Sequence, residues 1–91
     1  MSATAKLRLG RIVSTPHALE VLSNEDILAG ITRHQAGDWG DLCAEDKVLN
    51  NRAVVEGTRI LSTYRAANGT TFWIITEADR SATTVLLPED Y

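Results

Sequence analysis

The chain has one cysteine, two prolines and one phenylalanine in 91 residues. With Cys43 alone, no disulfide can close within the chain and no cysteine-based zinc site can be built. A domain this small without disulfides fits a reducing compartment, so a cytoplasmic protein is expected. Long apolar runs are missing too. None approaches the roughly 20 residues that cross a bilayer, and residues 1–10 lack the apolar core of a signal peptide. A soluble protein with no membrane contact is the expectation. Basic charge is scarce: nine Lys and Arg stand against twelve Asp and Glu, for a net charge of −3. Nucleic-acid binders need clustered cations to neutralise phosphates. The chain as a whole lacks that signature, which survives only locally at Lys6, Arg8 and Arg11. His17 and His34, the only histidines, form no ligand pair, and there is no glycine-rich phosphate loop. No metal and no cofactor is expected.

What is present is ordinary globular material. The hydrophobic fraction is 44% and the charged fraction 23%, as for a folded chain rather than a disordered one. One domain over residues 1–91 is expected, with residues 1–6 frayed. Leu7 to Ser14 alternates basic and apolar residues and reads as a short edge strand. Thr15-Pro16 starts a helix, with Thr as cap and Pro at the first helical position. Leu19 and Leu22 would face inward. Ser23-Asn-Glu-Asp26 restarts the helix with a near capping box, followed by Ile27, Leu28 and Ile31 on one stripe and Gly37 as the stop. A further helix is predicted from Ala44 to Glu56. Val48, Leu49, Ala53 and one of Val54 or Val55 form its inward stripe, and Gly57 its C′ residue.

The last third reads as three antiparallel strands. Asn68-Gly69 between β-rich runs is a strong hairpin signal. A two-residue turn there sets Tyr64 opposite Trp73, Ser62 opposite Ile75 and Ile60 opposite Glu77. The second turn, Ala78 to Ser81, sets Ile74 beside Val85 and Trp73 beside Leu86. Both faces of such a sheet are apolar: Leu61, Phe72, Ile74, Val85 and Leu87 on one, Ile60, Tyr64, Trp73, Ile75 and Leu86 on the other. Either the helices and the N-terminal segment wrap both faces, or the Tyr64/Trp73 face meets a partner protein or a second copy. The predicted fold is therefore α+β: a short N-terminal strand, two to three helices, then a three-stranded antiparallel meander packed on them.

Two clusters carry candidate chemistry. Asp38-Trp39-Gly40-Asp41 joins two carboxylates to an indole just before a helix. Trp39 either plugs the loop into the core while an Asp caps the helix, or the loop recognises a partner. Tyr64, Trp73, Asp38, Trp39 and Asp41 are the candidate partner-binding residues. Around the second turn, Arg65, Glu77 and Arg80 could supply a base and phosphate clamps, as in small ribonucleases that carry such groups on an antiparallel meander. The competing reading is a solvated turn whose Asp79 and Ser81 bond to the backbone.

The segments GDWGDL at 37–42, RILSTYR at 59–65 and WIITEADRSATTVLLPEDY at 73–91 resemble a family of small bacterial "plasmid-related" proteins, sometimes labelled a restriction-modification subunit. The resemblance implies a bacterial source and an association with mobile elements. It transfers no activity, and 91 residues cannot hold a methyltransferase domain. The expected function is a small non-catalytic interaction protein; a small ribonuclease or toxin-like enzyme using the meander is the alternative.

Overall fold

The computed structural model describes residues 7–91; the fraying expected of residues 1–6, and the placement of Lys6, lie outside the described residues. The fold is α+β. Strand β1 (Arg11–Ser14) leads into helices α1 (Pro16–Val21), α2 (Asn24–Gln35) and α3 (Ala44–Glu56). Strands β2 (Ile60–Arg65), β3 (Thr71–Thr76) and β4 (Ala82–Leu86) follow, and a 3-10 turn spans Pro88–Asp90. The sheet order is β1-β4-β3-β2. The meander is antiparallel, and β1 joins it parallel to β4, making a four-stranded mixed sheet in place of a three-stranded one.

Local chemistry explains the boundaries. Thr15 Oγ1 accepts the Ala18 N–H at 3.1 Å and Pro16 opens α1. Ser23 caps α2 by accepting the Asp26 N–H at 3.1 Å and donating to the Asp26 carboxylate at 3.0 Å; the acid takes the cap's hydroxyl rather than the backbone N–H of a full capping box. α3 ends at Gly57 in the left-handed conformation, its N–H on the Ala53 carbonyl.

The first hairpin corrects the expected register. Tyr64 pairs with Phe72, Thr63 with Trp73 and Ile60 with Thr76, one residue off the two-residue turn. The loop is three residues long. Gly69 donates its N–H to Ala66 and takes φ +88°, whereas Asn68 is not at positive φ. This is a tight turn followed by a glycine bulge. Asn68 instead uses its side chain, accepting the Thr70 N–H and donating to the Val21 carbonyl, while Ala67 N–H reaches Asp26. The turn is thus pinned to the α1–α2 junction. A slip of one residue exchanges the faces of β2, so Tyr64 leaves the Trp73 face. The second hairpin has the predicted register, with Ile74 on Val85 and Trp73 on Leu86.

All three helices lie on one side of the sheet. α1 packs on β4, α2 on β3 and α3 on β2. Ala18, Leu22, Ile27 and Ile31 meet Tyr64, Phe72, Ile74 and Val85 in one cluster, while Trp39, Ala53 and Ile60 belong to another. Gly30 lets α2 come down onto the sheet: a Cβ there would stand 2.9 Å from the Phe72 ring. The inward stripes differ from the hydropathy pattern. Ala18, not Leu19, is buried in α1, and α3 buries Asn50 and Ala53 while Val48, Leu49, Val54 and Val55 are exposed. Two polar anchors set the rotation of α3. Asn50 Nδ2 donates to the Leu61 carbonyl at 2.7 Å, and Arg80 Nη2 donates to the Ala53 carbonyl at 2.9 Å.

Candidate functional site

The sheet face turned away from the helices is built in cross-strand rows. Val13, Thr84, Ile75 and Leu61 form one row, and Leu86, Trp73 and Thr63 the next. Arg65 and Thr71 close one end of the face. At the other end stand Arg11 beside Ala82, then Glu77, whose N–H bonds the Ala82 carbonyl, then Arg59, which directly precedes the first paired residue of β2. The two ends are about 20 Å apart, six residues at strand rise.

The aliphatic centre of this face is not what solvent meets, although Val13 on the β1 edge is exposed and Leu61 half-buried. Ile75 is 2% exposed and Leu86 5%. Trp73, Thr63 and Thr84 are half-buried, and Arg11, Arg59, Arg65 and Thr71 are exposed. Tyr91 lies along the face between Trp73 and Arg59. Its ring meets the indole edge-on at 5.8 Å, its hydroxyl accepts from Arg59 Nη1 at 2.7 Å, and the guanidinium sits 5.1 Å from the ring centre. Tyr91 is still 68% exposed. The preceding turn is anchored through Asp90, which accepts from Thr15 Oγ1 at 2.8 Å and from the Leu87 N–H at 3.2 Å, and faces His17 Nδ1 at 3.0 Å. These bonds hold the Asp90 carboxyl below its ordinary range, and the contact with Asp90 raises His17.

Of the sequence-predicted partner residues, Trp73 lies on this open face and Tyr64 does not. Tyr64 is buried on the helix side and donates its hydroxyl to the Asp38 carbonyl at 2.6 Å; burial pushes it up to about 12. The loop at 38–41 runs along the outer edge of β2, where Asp41 N–H bonds the Thr63 carbonyl at 2.8 Å. Trp39 is 3% exposed, donates to Asn51 Oδ1 at 2.9 Å and meets His34 edge-on. Asp38 receives a two-pronged bond from Arg33 at 2.7 and 3.2 Å, which holds its carboxyl below the usual range. Gly40, at φ +76°, must be glycine because a Cβ would collide with the Thr63 carbonyl and approach the Tyr64 ring to 2.7 Å. The loop therefore plugs the core through Trp39 and closes the sheet edge; the Asp41 side chain is exposed.

Arg65, Glu77 and Arg80 are not brought together. Arg65 sits opposite Thr71, at the far end of the sheet from Glu77. The Arg80 guanidinium is occupied by the carbonyls of Thr58 at 2.7 Å, Ala53 at 2.9 Å and Glu77 at 3.2 Å, and its backbone takes φ 61° in the turn. It clamps the end of α3 to the second hairpin.

The core holds a polar chain that the sequence did not announce. His34 is fully buried, with Nδ1 2.6 Å from Ser62 Oγ and Nε2 2.8 Å from Thr76 Oγ1. Thr76 Oγ1 is 2.8 Å from Thr83 Oγ1, which donates to the Leu9 carbonyl at 2.7 Å. A hydroxyl has one proton, and a neutral imidazole has one donor and one acceptor. Since Thr83 gives its proton to Leu9, Thr76 must donate to Thr83. His34 Nε2–H must then donate to Thr76, and Ser62 must donate to Nδ1. One neutral tautomer satisfies every link, and burial lowers His34 to about 4. His34 is thus a neutral core residue at the end of α2.

A cavity of about 230 Å³ opens beside Trp39, between the end of α2 and α3, lined by Leu7, Gln35, Gly37, Asn51 and Val54. It is smaller than the usual ligand pocket and lies on the helix side. No group of His, Cys, Asp and Glu with metal-holding geometry occurs among the described residues, and no helix among them is long and apolar enough to cross a membrane. Comparison with protein-family models, curated proteins and solved structures finds no match for this chain.

Proposed function

We propose that the protein is a non-catalytic binding module that works through the open face of its sheet. The observation that carries this reading is the one-sided helical layer: three helices cover the Tyr64–Phe72–Ile74 side, while Trp73 and Tyr91 stand on the other. Surface aromatics on a rigid sheet are costly to leave bare and are enriched where partners dock. The separation of Arg65 from Glu77, and the commitment of Arg80 to three carbonyls, weigh on the side of binding over ribonuclease chemistry. An accessory protein of a bacterial mobile element, the association implied by the sequence resemblance, would then act by occupancy.

Site-specific photo-crosslinking in a bacterial host tests this. A crosslinking residue at Thr71 or Thr84, both on the open face, is expected to trap one discrete partner species. The same residue at Val55, exposed on α3, is expected to trap none. Crosslinks from Val55 alone would move the binding surface to the helices and defeat the reading.

A further inference from the structure

The fold sorts charge in a way the net value conceals. Residues 16–57, the helical layer and its loops, hold eight acidic and three basic side chains. One of those three, Arg33, is already paired with Asp38. On the open sheet face the balance reverses. Arg11 and Arg59 stand at one end and Arg65 at the other, all exposed, against the single half-buried Glu77. Between them lie the two aromatic rings of Trp73 and Tyr91. Three threonines, Thr63, Thr71 and Thr84, project from the same side. The aliphatic centre of the face is screened from solvent, with Ile75 and Leu86 2% and 5% exposed; Leu61 is half-buried, and Val13, on the β1 edge, is 39% exposed.

A protein-docking face has an aliphatic and aromatic centre with charge at its rim. This face offers π surfaces between guanidinium groups, with hydroxyls beside them. That combination suits unstacked bases, which pile on aromatic rings while arginines neutralise the flanking phosphates. Hydroxyl side chains beside the stacking site offer partners to a ribose 2′-OH. The acidic helical layer would repel the same strand from the rest of the molecule. We infer that the open face binds single-stranded RNA, with Trp73 and Tyr91 as stacking platforms and Arg11, Arg59 and Arg65 as phosphate contacts. The inference rests on the open face being the binding surface, and names its ligand.

The test is fluorescence anisotropy of a labelled single-stranded RNA of about ten nucleotides, within the site size of single-strand binders, titrated with the full chain. Binding is expected to exceed that of the matched DNA strand and of the duplex. Neutralising about three phosphates gives a log–log salt slope of roughly −2, at about −0.7 per contact. Trp73→Ala and Tyr91→Ala are each expected to weaken binding roughly five- to hundredfold, and Trp73 emission to be quenched on binding. Because Trp73 is half-buried, the decisive variant is the triple charge reversal of the exposed Arg11, Arg59 and Arg65 to Glu. It is expected to abolish binding while circular dichroism stays native. Arg52→Glu on α3 is expected to change affinity less than twofold. Absence of RNA binding at low salt, binding that survives the triple reversal, or equal binding of matched DNA would each overturn the inference. A protein crosslinked at Thr71 or Thr84 together with no RNA binding would sink the RNA inference and leave the open-face binding module standing.

Discussion

The two faces of one sheet treat polar groups differently. The face under the helices carries Ser62, Thr76 and Thr83, all fully buried, and closes over His34. The face turned to solvent carries Trp73, Ile75 and Leu86. Along the His34 chain every proton has an acceptor, so buried hydroxyls and an imidazole joined end to end cost little, and each broken link costs the desolvation of the group left alone; Ser14 Oγ, on the same face, is buried without a partner. On the open face Ile75 and Leu86 are buried as well, and it is Tyr91, part of Trp73 and the Val13 edge that reach solvent. A sheet pattern read only as hydropathy therefore misses both, because the informative residues are the polar ones that are buried and the aromatics that are not.

Cutting the buried chain at its centre is the harshest way to break this comparison. His34→Ala leaves the Ser62 hydroxyl without its acceptor and Thr76 without one of its two partners, and opens a cavity between α2 and the sheet. Together these should cost about 3–5 kcal/mol, a large share of the stability of a domain this small. Urea denaturation followed by circular dichroism measures it; a loss below about 1 kcal/mol would mean that the chain contributes nothing special. Acid attacks the same residue without mutation. His34 titrates near 4 when folded and near 6.5 when unfolded. Between those values the unfolded state holds more protons, so stability falls as pH drops through this window and is level above it. The full drop by about pH 4 is roughly 3 kcal/mol, at 1.36 kcal/mol per unit. His17, raised by Asp90, has the opposite sign: its small, solvent-exposed contribution is present at low pH and fades as pH rises through its folded value. The depressed carboxyls of Asp38, Asp79 and Asp90 lose their contributions only below the ordinary carboxyl range. A stability curve flat from pH 7 to pH 4.5 would contradict the neutral, buried histidine.

Gly40→Ala tests the edge that joins the two faces. The added methyl meets the Thr63 carbonyl and the Tyr64 ring at a backbone angle that disfavours side chains. The bridge between Gly40 and Thr63 should open at a cost of roughly 2–3 kcal/mol. Hydrogen exchange would show it as faster exchange at Asp41, whose N–H bonds Thr63.

Much of this architecture was legible in the chain, and the failures have local causes. Thr15-Pro16, the Ser23 cap and Gly57 set helix ends because their chemistry acts within four residues. The second hairpin register was legible for the same reason. The first slipped by one residue because Asn68 satisfied its neighbours with its side chain and left positive φ to Gly69 alone. That one residue moved Tyr64 from the face where it looked functional to the core. The rotation of α3 depends on Asn50 and Arg80 reaching backbone carbonyls on distant elements, which no helical hydropathy stripe encodes. His34 bonds groups 28 and 42 residues away, so its neutrality has no sequence signature. The open-face arginines were partly visible: Arg59 and Arg65 share strand parity, but β1 had to dock parallel on β4 before Arg11 joined them.

The finest contrast between the faces lies in two adjacent residues of β4. Thr83 and Thr84 share a strand and a chemistry and differ only in the side to which they point. Thr83 is fully buried, donates to the Leu9 carbonyl and receives the proton of Thr76; Thr84 is half-buried on the open face, beside Val13 and Ile75. Thr83→Val keeps shape and strand preference but strands one carbonyl and one hydroxyl in the core, at about 1–3 kcal/mol. Thr84→Val removes a hydroxyl that water can replace and adds a methyl group favoured in strands, so stability should stay within about 0.5 kcal/mol of the parent. Thermal unfolding of the two variants side by side reads the difference directly, since propensity and volume cancel between them. Equal losses would show that the faces do not differ in how they treat a polar group. A large loss at Thr83 with none at Thr84 ties the difference between the faces to the hydrogen-bonded chain.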